Sequence, residues 1–111
     1  MPWPPSLNGY YRVFKNRQII SKRGREYRKA AIAHLHEIGL AGLKLDGRLA
    51  VTMTLHPPTL RRFDCDNYQK SLWDSLTHAQ FWLDDEQVDI MTVKKAAKIS
   101  GGLVVMRVSV V

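Results

Sequence analysis

Between residues 49 and 55 the chain reads LAVTMTL, with Leu49, Val51, Met53 and Leu55 on alternate positions and Pro57 and Pro58 just beyond. Successive side chains of a strand point to opposite faces, so this pattern specifies a strand with one apolar face. The two prolines end it, because neither has an N–H to give a neighbouring strand. The flanking sequence supplies apolar partners for that face. Residues 22–38 place Tyr27, Ala31, Leu35 and Ile38 at helical spacing, widened by Ala30, Ile32 and Ala33, with Ser21 as N-cap and Gly39 as stop. Residues 67–79 repeat the pattern with Tyr68, Leu72, Leu76 and Ala79, and Trp73 lies beside that stripe.

Two more strands are expected at 88–99 and 103–111, with Ser100-Gly101-Gly102 between them as a hairpin turn. On the last strand Val104, Met106, Val108 and Val110 form a wholly apolar face, which predicts a central place in a sheet or burial at a subunit interface. The predicted fold class is α+β: a small mixed β-sheet with a C-terminal hairpin, packed by two helices. At 111 residues it forms a single domain, 1–111. A chain of this size buries about 65% of its unfolded surface, enough for a core without staples.

The opening PWPPS is expected to be an extended arm, since Pro2, Pro4 and Pro5 exclude helix and central strand. Its aromatic neighbours Trp3, Tyr10 and Tyr11 either pack on the domain or stack on bases. A single cysteine, Cys65, forms no intrachain disulfide and suits a reducing cytoplasm. The first residues lack the basic-then-apolar pattern of a secretory signal. No apolar run approaches the ~20 residues of a membrane span, so no membrane partner is expected.

The net charge of +7 favours an anionic partner, nucleic acid being the commonest. Its distribution is uneven. Residues 1–62 hold twelve Lys/Arg against three Asp/Glu, a balance of +9, whereas residues 63–111 hold five against seven, a balance of −2. All seven of those acids lie between Asp64 and Asp89, where Lys70 is the only basic residue. A basic body therefore surrounds one acidic stretch. The first turns of the predicted helix from 22 crowd Lys22, Arg23, Arg25, Arg28 and Lys29 at the end where the helix dipole disfavours cations. Helix stability does not explain them; they form either a solvated face or a phosphate contact.

The acidic stretch opens with RRFDCDNYQK, residues 61–70. In extended backbone Asp64 and Asp66, two apart, point to one side. At ~4 Å two such charges repel by about 4 kcal/mol at an effective dielectric of 20. A divalent cation between them converts that repulsion to ligation, Mg²⁺ taking one or two carboxylates with waters and substrate phosphate. Asp84, Asp85, Glu86 and Asp89 are candidates for a third ligand. Asp66-Asn67-Tyr68-Gln69 also fits a capping box at the start of the second helix, a role compatible with ligation. Lys70, one turn beyond Asp66, either pairs with it or holds the scissile phosphate. Such a site suits phosphodiester hydrolysis, with the basic body supplying salt-sensitive backbone affinity. His34, His36, His56 and His78 are scattered and read as structural or solvated. No phosphate-binding glycine loop and no zinc set is present.

PWPPSLNGYYR, RRFDCDNYQKSLWDSLT and AQFWLDDEQV resemble, in order and spacing, the RusA family of Holliday junction resolvases. The resemblance implies a homodimeric, Mg²⁺-dependent endonuclease, Mn²⁺ being a substitute, that cuts opposed strands of four-way junction DNA in the cytoplasm of a bacterium or phage-infected host. It places the essential carboxylates, as metal ligands, on Asp64, Asp66 and Asp85 and the catalytic lysine on Lys70. Arg12, Lys15, Arg17, Lys22, Arg23, Arg25, Arg61 and Arg62 are the expected DNA contacts. Family members often carry a strand before the PWPP segment; only Met1 and Pro2 precede Trp3 here, so that strand is expected to be absent or very short. The competing reading is a basic DNA-binding architectural module without catalysis, its aspartates serving as caps and solvated loops. A weaker third is a nuclease for flaps or single strands.

Overall fold

A computed structural model describes the backbone of residues 1–111 and every side chain except those of Leu7, Asn8 and Phe14. The elements are α1 (Leu7–Tyr10), β1 (Tyr11–Phe14), β2 (Arg17–Ile20), α2 (Lys22–Glu37), β3 (Leu49–His56), α3 (Gln69–His78), β4 (Val88–Lys95) and β5 (Leu103–Val110), in that order. The fold is α+β, as expected, with β1 and β2 forming a separate two-stranded sheet.

The alternating strand lies at the centre of the larger sheet. β3 runs between β4, to which it is parallel, and β5, to which it is antiparallel, so that Met53 faces Val93 on one side and Met106 on the other. Leu49, Val51, Met53 and Leu55 are all buried. They pack into one core with Tyr27, Ala31 and Leu35 of α2, Leu72 and Leu76 of α3, and Trp82. Burial of each such aliphatic side chain contributes about 1.5–3 kcal/mol. The intervening Ala50, Thr52, Thr54 and His56 stay half-buried.

The C-terminal hairpin does not form. β4 and β5 flank β3 instead of pairing, and β4 ends at Lys95, not at residue 99. Residues 96–102 cross the end of β3, held by Ala96 N–H to the Leu55 carbonyl (2.9 Å) and Ile99 N–H to that of Pro57 (3.0 Å). Gly101 and Gly102 do turn the chain with positive φ (79° and 74°), but the turn serves a crossover. Turn chemistry is local; the choice of partner strand follows from β3, whose apolar face must lie mid-sheet. β5 is thus an edge strand, not a central one. Burial falls along its apolar face from Val104 (1% exposed) to Val110 (63%). Met1 exchanges both backbone hydrogen bonds with Val104, each 2.9 Å, so a single residue pairs with β5 ahead of the PWPP segment, where the strand was expected to be absent or very short.

The N-terminal arm is tied to the helices. Tyr27 donates its hydroxyl to the Pro2 carbonyl (3.0 Å) and Ser71 donates to that of Pro5 (3.3 Å). Trp3 packs among Phe63 and Tyr68, and Tyr10 is fully buried, so both serve packing. The β1–β2 hairpin turns through Lys15 and Asn16, at φ 50° and 62°, the left-handed pair that suits the twist of a two-residue hairpin. Ser21 caps α2 as expected, accepting from Gly24 N–H. Gly24 is required there: a Cβ would lie 2.5 Å from the Tyr10 carbonyl oxygen.

Candidate active site

The segment before α3 is not extended. Cys65–Asn67 forms a single turn of 3₁₀ helix, entered from Asp64 in extended conformation. At three residues per turn, that bend parts two positions which an extended chain would align. Asp66 lines a depression of about 470 Å³ with Tyr11, Gln18, Gln69, Lys70, Trp73 and Asp85. Asp64 lines a different one, of about 500 Å³, with Ser6, Arg62, Phe63, Asn67, Tyr68 and Lys95. Asp64 and Asp66, expected on one side of an extended segment, thus line separate depressions. Among the described residues no three His, Cys, Asp or Glu side chains stand together as a metal cluster.

Asp66 does not cap α3 either. Tyr68 is the N-cap and makes no side-chain cap bond, while Gln69 turns back to donate to the Cys65 carbonyl. The capping box sits fifteen residues on from Gln69, where Asp84 caps the 3₁₀ turn Asp85–Gln87. Gln87 Oε1 accepts from the N–H groups of Leu83 and Asp84, both at 2.9 Å. Its Nε2 donates to the Leu45 and Gly47 carbonyls at 3.0 and 2.9 Å. The D-x-x-Q spacing of Asp84-Asp85-Glu86-Gln87 signals this box as clearly as the one sought at Asp66.

That turn singles out one acid of four. Asp84 is occupied as the cap. Glu86 and Asp89 are both engaged by Arg48, whose Nη1 lies 3.1 Å from Glu86 Oε1 and whose Nε donates to Asp89 Oδ1 at 3.0 Å. Asp85 alone faces the depression. Burial, followed by its hydrogen bond with Asp84, raises its pKa, while the nearby Lys70 ammonium opposes the rise. Asp66 and Asp85 lining one depression, beside a lysine, fit a hard, oxygen-seeking divalent cation whose other ligands are water and phosphate.

Lys70 does not pair with Asp66. Its ammonium lies 3.0 Å from Asp74 Oδ1, one turn onward, and that pairing is the first cause of its raised pKa. Asp74 was not singled out in the sequence, although Lys70–Asp74 is an i,i+4 pair legible there.

The basic residues divide. Tyr11 and Gln18 bring the β1–β2 hairpin to the rim of the depression, and Arg12, Lys15 and Arg17 ride on that hairpin with exposed side chains. Arg62 lines the depression of Asp64 and, with Arg61, an adjoining one of about 380 Å³. Lys22, Arg23 and Arg25 are exposed at the start of α2, where Arg25 donates to the Ile20 carbonyl (2.9 Å) and Lys22 stands 4.0 Å from Glu26. Arg28 turns inward to donate to Tyr10 Oη at 2.7 Å. It is structural, not a phosphate contact. Lys95, absent from the expected set, reaches the Phe63 carbonyl and lies 4.5 Å from that ring's centroid. His56 accompanies the Ala97 carbonyl (2.8 Å) at the end of β3, a structural role. No helix among the described residues is long and apolar enough to cross a membrane.

The family model for endodeoxyribonuclease RusA matches residues 2–107. The crossover junction endodeoxyribonuclease RusA of Escherichia coli strain K12 is 39% identical over 102 residues, covering 92% of this chain and 84% of the relative. The protein of the same name from Enterobacteria phage 82 is 40% identical over 102 residues, and that of phage HK97 41% over 106, with the same coverage.

Proposed function

The chain belongs to the RusA family of endodeoxyribonucleases, and from that premise we propose that it resolves Holliday junctions as a divalent-cation-dependent homodimer, one cut from each subunit. The observation carrying the site is that Asp85 joins Asp66 and Lys70, which lie at the opposite end of α3 in sequence, in lining one depression beside the β1–β2 hairpin. As an enzyme of this family the chain is not a non-catalytic architectural module.

The backbone of a junction arm would enter over the hairpin and the Arg61–Arg62 loop, where exposed cations give salt-sensitive affinity without reading sequence. Asp66 and Asp85 would hold the cation, Mg²⁺ in the first instance. When bound, it supplies an acidified water and neutralises charge on the leaving oxygen. Lys70 presents an ammonium to the non-bridging oxygens as charge builds on the scissile phosphate. Asp64 joins the site on family resemblance, from the adjoining depression that it shares with Arg62 and Lys95.

Two-fold pairing suits a four-way substrate, because a C2 dimer presents one site to each of two related strands. The surface area supports it. The chain exposes 7075 Å², against roughly 6,200 Å² for a monomer of its mass. The surplus is close to the ~800 Å² that one partner buries in a standard interface.

The deciding experiment incubates the protein with labelled four-way junction, duplex, flap and single strand, with and without Mg²⁺. Symmetric nicks in the junction alone, dependent on Mg²⁺, are expected. Binding without product strands, or cleavage indifferent to branching, would overturn the reading.

A further inference from the structure

We propose that Asp74 is a positioning residue for cleavage: it fixes the Lys70 ammonium at the depression by anchoring it to a carboxylate clamped between α1, α2 and α3. The inference rests on the reading of that depression as the cleavage site. An isolated i,i+4 ion pair on a helix surface is weak and holds its lysine loosely. Asp74 is not so placed. Its side chain is 17% exposed, against 46% for that of Lys70. Its second oxygen accepts from the Tyr10 hydroxyl at 3.2 Å and stands 3.9 Å from Arg28 Nη2. Arg28 closes the triangle by donating to Tyr10 Oη at 2.7 Å.

Each member of the clamp is itself held. Tyr10 is fully buried, and its backbone carbonyl accepts from Ser21 N–H at 2.9 Å. The Gly24 face of α2 presses on the same carbonyl so closely that only glycine fits. Arg28 is committed to the cluster although its Nε is buried without a hydrogen-bond partner, an omission that carries a desolvation cost. The carboxylate is thus rigid and the lysine is the exposed end of the pair. An ammonium has three N–H donors. Asp74 takes one and fixes the head, leaving the others for phosphate oxygens beside Asp66 and Asp85.

The test uses the full chain under single-turnover conditions with Mg²⁺, and measures junction affinity separately in EDTA. Asp74→Asn keeps the shape and an acceptor for Tyr10 but removes the charge. The expected result is a cleavage rate at least tenfold lower with junction Kd within twofold of wild type, and Asp74→Glu recovering at least threefold of the loss. A wild-type rate for Asp74→Asn overturns the proposal, as does an equal loss in the Asn and Glu variants. Should Asp74→Asn fail to fold, Tyr10→Phe frees one carboxylate oxygen without touching the charge. A two- to fivefold slower rate at unchanged Kd is then expected, and a wild-type rate overturns the proposal. Lys70→Met separates the two levels: wild-type cleavage by that variant overturns the site itself, whereas its inactivity beside a fully active Asp74→Asn overturns the role of Asp74 alone.

Discussion

Gln87 holds Asp84 from inside the fold, accepting its backbone N–H at 2.9 Å through Oε1, while its Nε2 donates to two carbonyls of the 45–47 loop. All of the amide's hydrogen-bonding directions are used, and Asp85 hangs on the turn so fixed. Gln87→Met keeps the volume and leaves two N–H and two C=O groups unpaired near a buried side chain. At about 1 kcal/mol net for each bond, urea unfolding is expected to show a loss of about 3–4 kcal/mol. The variant is also expected to cleave more slowly at temperatures where it remains folded, since the turn that aims Asp85 is loosened. Unchanged urea stability would remove the amide from this role.

Asp85 sets function against stability. Burial raises its pKa above the ordinary 3.8. The folded chain therefore binds that proton more tightly than the unfolded chain, and stability is lost as pH rises through the folded value. At neutral pH, without divalent cations, Asp85→Asn is expected to raise the melting temperature while lowering junction cleavage by on the order of a hundredfold or more. Since Lys70 opposes the rise, Lys70→Met is expected to move the Asp85 carboxyl titration, followed by NMR, to still higher pH. An unmoved titration would show that the two groups do not share a field.

How much of this was legible follows from the range of each signal. The period-two pattern of Leu49–Leu55 and the 3.6-residue stripes of α2 and α3 are local, and they predicted the core. The Gly101-Gly102 turn was equally local, yet whether it joins neighbouring strands depends on β3, some fifty residues earlier. Lys15 and Asn16 are not a strong turn pair, so the β1–β2 hairpin left little trace. In the site, spacing pointed to Asp66 and Lys70 and the family resemblance to Asp85, and the three line one depression. Separating Asp64 from them required the 3₁₀ turn at Cys65–Asn67, which no periodicity announces. Asp74 and Arg48 were passed over because their importance lies in partners: Tyr10 and Arg28 for one, Glu86 and Asp89 for the other.

The cationic residues are expected to separate by salt dependence. Arg62 is exposed beside the depression of Asp64, and its replacement by Gln is expected to reduce the slope of log K against log salt by about 0.9 if one phosphate contact is lost. Arg28→Gln is expected to leave that slope unchanged and to lower the melting temperature, because its guanidinium is spent on Tyr10 and Asp74. Fluorescence anisotropy with a labelled junction at several salt concentrations checks both. A reduced slope for Arg28→Gln would place that residue on the DNA.

For the proposed dimer, the open face of the sheet is the candidate subunit contact. α2 and α3 cover the face of Leu49, Val51, Met53 and Leu55, and the opposite face carries Thr52 and Thr54 at its centre, with Ile90 (53% exposed) on one edge strand and Val105 (50%) on the other. A second copy seated there would bury those side chains and use the surplus area. Val105 lies opposite Thr54 on β5, and a charged side chain on an exposed edge strand is compatible with the fold. Buried between two subunits, the same charge would face a second copy of itself across the symmetry axis or lose its water, either of which opposes association. Sedimentation at micromolar concentration is expected to show a dimer for the native chain and a monomer for Val105→Asp, with far-UV circular dichroism unchanged. Junction cleavage by the monomer is expected to fall from paired cuts to single nicks, because each subunit brings one depression. A Val105→Asp protein that still sediments as a dimer would move the interface off this face.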